Sequence, residues 1–218
     1  EEVARQRGVA PFALGCAVTV ALLKRLTGHT DIILGTQIAG RDETDLEPLI
    51  GVFINNLVLR VDTRHARSFS DLLARTNETV RDALMHQAMP FHRLVELLNP
   101  PRDPARTPLI SVNFTMLKEV LQYRQYGRFR LQGVPSLSAG SLYDLNFFVV
   151  KWRGGGGKAM EYNPDIFREE TARAFVSLRH TTFERGIGEP VFSPGPPVSP
   201  GSHKTGLRVP HAQAALVS

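Results

Sequence analysis

Ten residues, Gly51-Val52-Phe53-Ile54-Asn55-Asn56-Leu57-Val58-Leu59-Arg60, constrain this chain most. The run is apolar enough to be a strand, yet two adjacent amides interrupt it. Asn is depleted in strands, and each buried carboxamide brings donors and an acceptor that need partners. Either the amides mark an edge or a bulge, or they are polar groups set on a strand to face a channel or a partner. Neighbouring strand residues point to opposite faces, so only one of the pair can face a given interior.

The 218 residues could hold one large domain or two small ones. At 42% hydrophobic and 22% charged, the chain has the composition of a globular core with a solvated surface. No run reaches the roughly 18 apolar residues of a membrane span. The N-terminus, Glu-Glu-Val-Ala-Arg-Gln-Arg, has no apolar signal core and reads as a start inside a longer chain. The single cysteine, Cys16, excludes an internal disulfide and fits a reducing, cytoplasmic setting. The net charge of +5 is spread over scattered arginines, which argues against a nucleic-acid interface. At most it gives a shallow attraction for an acidic protein partner.

Pro11 to Leu26 is a continuous apolar run, too long for a strand and followed by Gly28, which predicts a buried helix. Cys16 lies inside it as a packing residue, since apolar burial raises a thiol's pKa. Asp31 to Ile38 reads as a strand, Ala39 to Pro48 as a loop, and about Val52 to Val61 as a second strand. Ser68 caps a helix with Asp71 in its first turn, and Leu72, Leu73, Thr76, Val80, Ala83 and Leu84 keep helical spacing to His86. Pro90 starts a short helix through Leu98, and Pro100, Pro101 and Pro104 force a loop. Leu109–Met116, Phe129–Leu131 and Tyr143–Trp152 read as strands. Gly154–Gly157 is a hairpin turn that returns through Lys158–Tyr162. These glycines lack the Lys-Ser/Thr of a phosphate loop and join strands. Arg168–Glu184 is a last helix with Ala172, Phe175, Val176 and Phe183 on one face. From Gly186 the Pro/Gly/Ser content predicts a flexible tail or linker. The expectation is an α/β domain over residues 1–185, a sheet with helices on at least one face, and a tail over 186–218.

In order, these segments resemble the C-terminal half of a condensation domain of nonribosomal peptide synthetases. Thr27-Gly28-His29-Thr30-Asp31-Ile32-Ile33-Leu34-Gly35-Thr36 resembles the family's T-G-x-x-D-I-x-x-G-T stretch, continued by Ala39-Gly40-Arg41. Gly51 to Arg60 resembles G-x-F-x-N-T-L-V-L-R, with Asn56 where Thr is usual. His86-Gln87-Ala88-Met89-Pro90-Phe91-His92 resembles H-Q-D-x-P-F-E, with Ala88 and His92 replacing both acids. Arg102-Asp103-Pro104-Ala105-Arg106-Thr107-Pro108-Leu109 resembles R-D-x-S-R-x-P-L. Tyr143-Asp144-Leu145-Asn146 resembles the F-D-L strand, and Glu161-Tyr162-Asn163-Pro164-Asp165-Ile166-Phe167 resembles E-Y-x-x-D-L-F.

The resemblance implies a chloramphenicol-acetyltransferase-like lobe: a mixed sheet with flanking helices and a disordered C-terminal tail. Two such lobes would form a V around a tunnel. Peptidyl or aminoacyl carrier proteins would insert phosphopantetheine arms from opposite sides, and the acceptor amine would attack the donor thioester. No cofactor is expected on this chain itself. Its implied partners are those carrier proteins, an N-terminal lobe and a neighbouring adenylation domain. The family's central histidine lies in an H-H-x-x-x-D-G motif of the N-terminal lobe. Here the histidines are His29, His65, His86, His92, His180, His203 and His211, no two adjacent. A histidine at the reacting centre suits deprotonation of the amine or stabilisation of the tetrahedral intermediate. With no evident substitute, there is no catalytic candidate, and the chain alone is expected to be silent.

The resemblance makes Asn55, Asn56, Asn146, Arg60 and Arg41 candidates for a substrate tunnel or its motif. For Asn146 the alternative is a structural hydrogen bond. The arginines could equally form surface pairs, each worth about 0–1 kcal/mol. Asp144 reads as structural. Arg102, Asp103 and Arg106 flank prolines and read as a loop locked by mutual pairing. His86 ends a helix, where a cation is favourable. No Cys/His cluster has metal-ligand spacing. Asn77-Glu78-Thr79 and Asn113-Phe114-Thr115 match glycosylation sequons that a cytosolic protein would not use. The rival readings are an epimerisation or acyltransferase domain of the same superfamily and a non-catalytic carrier-protein-binding or docking module. An H-H-x-x-x-D-G motif encoded upstream of Glu1 would separate the enzyme from the docking module.

Overall fold

The computed structural model describes residues 2–41, 44–46, 48–101, 104, 106–118, 124–131, 141–152, 155–188 and 215–217. In chain order the elements are α1 (Glu2–Gln6), α2 (Pro11–Thr27), β1 (Asp31–Ile38), a 3-10 turn at Thr44–Leu46, β2 (Asn55–Asp62), α3 (Phe69–Met85) and α4 (Phe91–Leu98). They continue with β3 (Val112–Lys118), β4 (Arg124–Tyr126), β5 (Phe129–Leu131), β6 (Leu145–Trp152), β7 (Gly155–Tyr162), α5 (Glu169–Gly188) and β8 (Ala215–Val217).

Six strands form one mixed sheet in the order β2-β1-β3-β6-β7-β8. β1 runs antiparallel to β2 and parallel to β3, β3 runs parallel to β6, and β7 runs antiparallel to both β6 and β8. The strand β4 pairs separately with β5 through the positive-φ Gly127. α2, α3 and α5 pack on one face of the sheet, around Ile32, Leu34, Leu59, Val61, Phe114, Phe147 and Met160. Each such side chain contributes roughly 1.5–3 kcal/mol on burial. The family's architecture, a mixed sheet flanked by helices, is therefore present.

α2 owes its central place to its sequence. It is apolar on nearly every side, so it is buried from Ala13 through Leu23 with only Gly15 half-buried. Gly15 is required: a Cβ there would lie 2.3 Å from Phe114 Cζ. Gly28 ends the helix in the left-handed region (φ 72°) and returns its N–H to Lys24 O at 2.9 Å. Ser68 and Asp71 form a reciprocal capping box at the start of α3.

Several boundaries differ from the sequence reading. β2 starts at Asn55 instead of Val52, because Gly51–Ile54 has no strand partner. β3 starts at Val112 instead of Leu109, because Leu109 takes φ 64° and cannot extend a strand. β6 starts at Leu145 instead of Tyr143. Gly155–Gly157 belong to β7, not to the turn, since Trp152, Lys151 and Val150 pair with them in register. α5 runs to Gly188 instead of ending at Glu184, so the first three residues of the expected 186–218 tail continue the helix, and Ala215–Val217 pair with β7 as β8.

Arg179 of α5 is an unusual core residue, only 8% exposed. It lies over the rings of Phe114 (5.4 Å) and Phe147 (5.5 Å), and its Nε donates to Thr19 Oγ1 at 3.4 Å. No carboxylate pairs with it among the described residues. Burial pulls its pKa down to about 10 and pushes the neighbouring Cys16 thiol up. A buried cation is costly and an apolar chain of similar volume often replaces it without loss. Thermal melting of Arg179→Met is expected to match or exceed the parent, while Arg179→Ala loses about 2 kcal/mol or more through its cavity. Equal losses in both variants would show that the charge itself is needed.

Candidate functional site

The face of the sheet turned away from the helices carries the candidate site. Strand alternation and register assign to it Asn56, Val58 and Arg60 of β2 and Ile33, Gly35 and Gln37 of β1. To these it adds Asn113, Thr115 and Leu117 of β3, Asn146, Phe148 and Val150 of β6, and Ala159 and Glu161 of β7. No histidine or cysteine lies among them. The face offers amides that can orient a ligand and, in Glu161, a carboxylate engaged by Asn146 Nδ2.

The two adjacent amides divide as strand geometry requires. Asn55 points at the elbow between α3 and α4. Its Nδ2 donates to Gln87 O (3.1 Å) and Met89 O (2.9 Å), and its Oδ1 accepts from Phe91 N–H at 2.9 Å. Phe91 opens α4, and Pro90 before it has no side chain to cap the helix. Asn55 therefore caps α4 from a neighbouring strand, with both N–H donors and its carbonyl oxygen engaged. Asn56 points to the open face beside Gln37. Its Oδ1 lies 3.5 Å from Tyr143 Oη, and Tyr143 is also hydrogen-bonded to the Gln37 side chain. Burial pushes the Tyr143 hydroxyl above its ordinary range.

A second polar row crosses four strands in register: Gly35, Asn113, Asn146 and Glu161. Asn146 Nδ2 donates to Glu161 Oε2 at 3.2 Å, and Asn146 Oδ1 accepts from Asn113 Nδ2 at 2.8 Å. Asn113 Nδ2 also donates to Thr115 Oγ1 at 2.8 Å. Asn113 Oδ1 is buried without a partner. Sequence reading missed Asn113, Thr115, Glu161, Gln37 and Tyr143. The available signal was an amide inside the apolar run Leu109–Met116, the same signal that singled out Asn146. The sequon at Asn113 is unusable, because the residue is 1% exposed.

The remaining candidates brace the frame. Arg41 donates to Leu46 O and to Gly51 O (3.1 Å), and it stacks 4.3 Å from the Phe53 ring centroid, fastening the loop before β2. Arg60 forms a two-pronged pair with Asp31 across β1 and β2, with Nη2 2.7 Å from Oδ2. That bond holds the Asp31 carboxyl below the usual range. Arg106 Nε stands 3.5 Å from Asp144, tying the loop before β3 to the loop before β6. Thr107 Oγ1 reinforces that tie at Leu142 O, 3.2 Å away. Arg102 and Asp103 lie outside the described residues. His86 ends α3, its Nδ1 2.8 Å from Asp82 O. Among the described residues, no group of His, Cys, Asp and Glu could hold a metal ion.

The profile of the family described as Condensation domain matches residues 1–191. Phosphinothricin tripeptide synthetase PhsB of Streptomyces viridochromogenes is 36% identical over 173 residues, covering 78% of this chain and 15% of that protein. Cyclosporin synthetase simA of Tolypocladium inflatum is 32% identical over 191 residues, covering 85% of this chain and 1% of that protein. Among solved structures, the X-domain from teicoplanin biosynthesis superposes with a TM-score of 0.77 at 26% identity, over 87% of this chain and 44% of that one. A four-domain nonribosomal peptide synthetase bound to AMP and glycine superposes equally well (TM-score 0.77) at 22% identity, over 87% of this chain and 16% of that one. The chain thus spans 15% or less of these two curated relatives and under half of these solved chains.

Loss of the Asn55 amide should separate frame from site. Asn55→Ala removes three hydrogen bonds at a half-buried position, for an expected loss of about 2–4 kcal/mol in chemical denaturation. Hydrogen exchange should accelerate first in α4. Uniform acceleration across the sheet would contradict the capping role.

Proposed function

The chain belongs to the condensation-domain family of nonribosomal peptide synthetases, and from that membership we propose that it is the C-terminal lobe of an amide-forming domain. In this reading the open sheet face lines one wall of the reaction tunnel. Carrier proteins deliver aminoacyl or peptidyl thioesters on phosphopantetheine arms. The lobe orients the acceptor amine, and a histidine on a second lobe supplies the proton chemistry. A neighbouring adenylation domain and a cytoplasmic setting go with this reading; no described helix is long and apolar enough to cross a membrane. The observation that carries it is the amide-rich open face, which has hydrogen-bonding groups for a substrate and, among the described residues assigned to it, no histidine to act on one.

A second reading has its own support. A solved X-domain is described in complex with OxyB, and it superposes on this chain with a TM-score of 0.73 at 26% identity. This chain lacks an H-H-x-x-x-D-G motif, so a docking module that recruits another protein is the alternative.

The isolated 218-residue chain should form no amide from loaded carrier proteins, and a fusion to a condensation N-terminal lobe bearing the histidine motif should form it. Turnover by the chain alone would overturn the half-site argument. A well-folded fusion without product would favour the docking module. The chain also exposes Ile50, Val52, Ile54, Met85 and Leu97. Light scattering should therefore detect self-association that grows over micromolar concentrations, and a monomer throughout would contradict an uncovered apolar surface.

A further inference from the structure

The buried row on the open face has a direction, and Glu161 sets it. A carboxylate only accepts hydrogen bonds, so Asn146 must turn its NH2 toward Glu161. That leaves Asn146 Oδ1 facing Asn113, which must present its own NH2. The second N–H of Asn113 is taken by Thr115 Oγ1. The Asn113 carbonyl oxygen is then left as the buried polar atom of the row without a partner among the described residues, in a residue 1% exposed. An unpaired buried acceptor costs stability. Flipping the Asn113 amide alone would set two carbonyl oxygens against each other.

The bare oxygen borders a notch. A Cβ added at Gly35 would lie 3.0 Å from Asn113 Oδ1. The same point is 2.3 Å from Ile110 Cγ2 and 3.0 Å from Ile110 Cδ1, so the Ile110 side chain now fills the notch. Ile110 is held there by a tight turn: its N–H returns to Pro108 O at 2.7 Å, and Leu109 between them has φ 64°. A branched residue in that region is strained, and such strain gathers where a segment has a task beyond packing.

We propose that Glu161, acting through Asn146, fixes the Asn113 carboxamide so that its oxygen faces the Gly35 notch, making the notch a subsite for a ligand N–H that enters when Ile110 moves aside. The ligand class is a primary amine or ammonium. Its identity as the acceptor amine rests on the condensation reading; the subsite itself does not. Asn113 is the contacting group, and Glu161 and Asn146 are positioning residues.

The test uses the whole chain, labelled for NMR, with the Asn113 side-chain amide assigned by its loss in Asn113→Leu. In Ile110→Ala, methylammonium should shift that amide saturably at millimolar concentration. Tetramethylammonium, with the same charge and no N–H, should leave it in place. Adding Glu161→Leu, which removes the acceptor that orients Asn146, should weaken the methylammonium response about tenfold, the worth of one such hydrogen bond. Glu161→Asp should restore part of it, and Gly35→Ala should abolish it. Equal shifts with both cations, no shift with either, or an unaltered response in Glu161→Leu would each overturn the proposal. Where Ile110→Ala does not fold, Ile110→Val carries the same comparison. A chain that answers methylammonium in this way but makes no amide when fused to a histidine-bearing lobe keeps the subsite and loses the condensation reading. A chain that makes the amide but does not answer loses only the subsite.

Discussion

A polar side chain placed on a strand must find its partners across the sheet, and that constraint organises this fold. Asn113, Asn146 and Glu161 hydrogen-bond to one another because β3, β6 and β7 are paired in register, leaving only the Asn113 carbonyl oxygen buried and unpaired among them. A one-residue slip would carry each amide to the apolar face beneath α2 and α5. The row therefore specifies the pairing as well as lining the open face. Asn55 applies the same rule at the sheet edge, where its amide joins the start of β2 to the elbow ahead of α4.

The two faces of the sheet divide the work. One face, under α2, α3 and α5, holds the apolar residues that stabilise the domain and tolerates one buried cation between two aromatic rings. The other holds amides, a carboxylate and a tyrosine, with no histidine. In the proposed reading that division makes the chain a half-site: this face would orient a substrate, and a histidine on a second lobe would move its proton. Arg41 with the loop before β2, and Arg106 with Asp144, fasten loops at the margins of the open face.

Much of this was legible in the sequence because the signals were local. The apolar length of α2, its Gly28 stop, the Ser68–Asp71 cap and the strand β1 all follow from short-range rules. The mixed sheet and the family were legible through motifs set in order along the chain. The boundaries were less so. Only pairing with Trp152, Lys151 and Val150 moves three glycines from the turn into β7, and only the left-handed Leu109 delays β3. The site was legible in part. Asn56 and Asn146 stood out as polar interruptions, but Asn55 looked equivalent to Asn56 until its contacts with residues 87–91 assigned it to the frame. Asn113 left the local signal of an amide in an apolar run, but its pairing with Asn146, and that of Asn146 with Glu161, became visible only through register, because contacts between distant strands leave no local trace.

The central claim is that the open face is one wall of a channel completed by a second lobe. A crystal structure of this chain joined to a histidine-bearing partner lobe tests it most directly. The account predicts a solvent-connected channel with Asn56, Tyr143 and the Asn113–Asn146 row on one side and the histidine opposite. A dry interface, with partner side chains packed across that row and the histidine outside reach of it, would contradict the account.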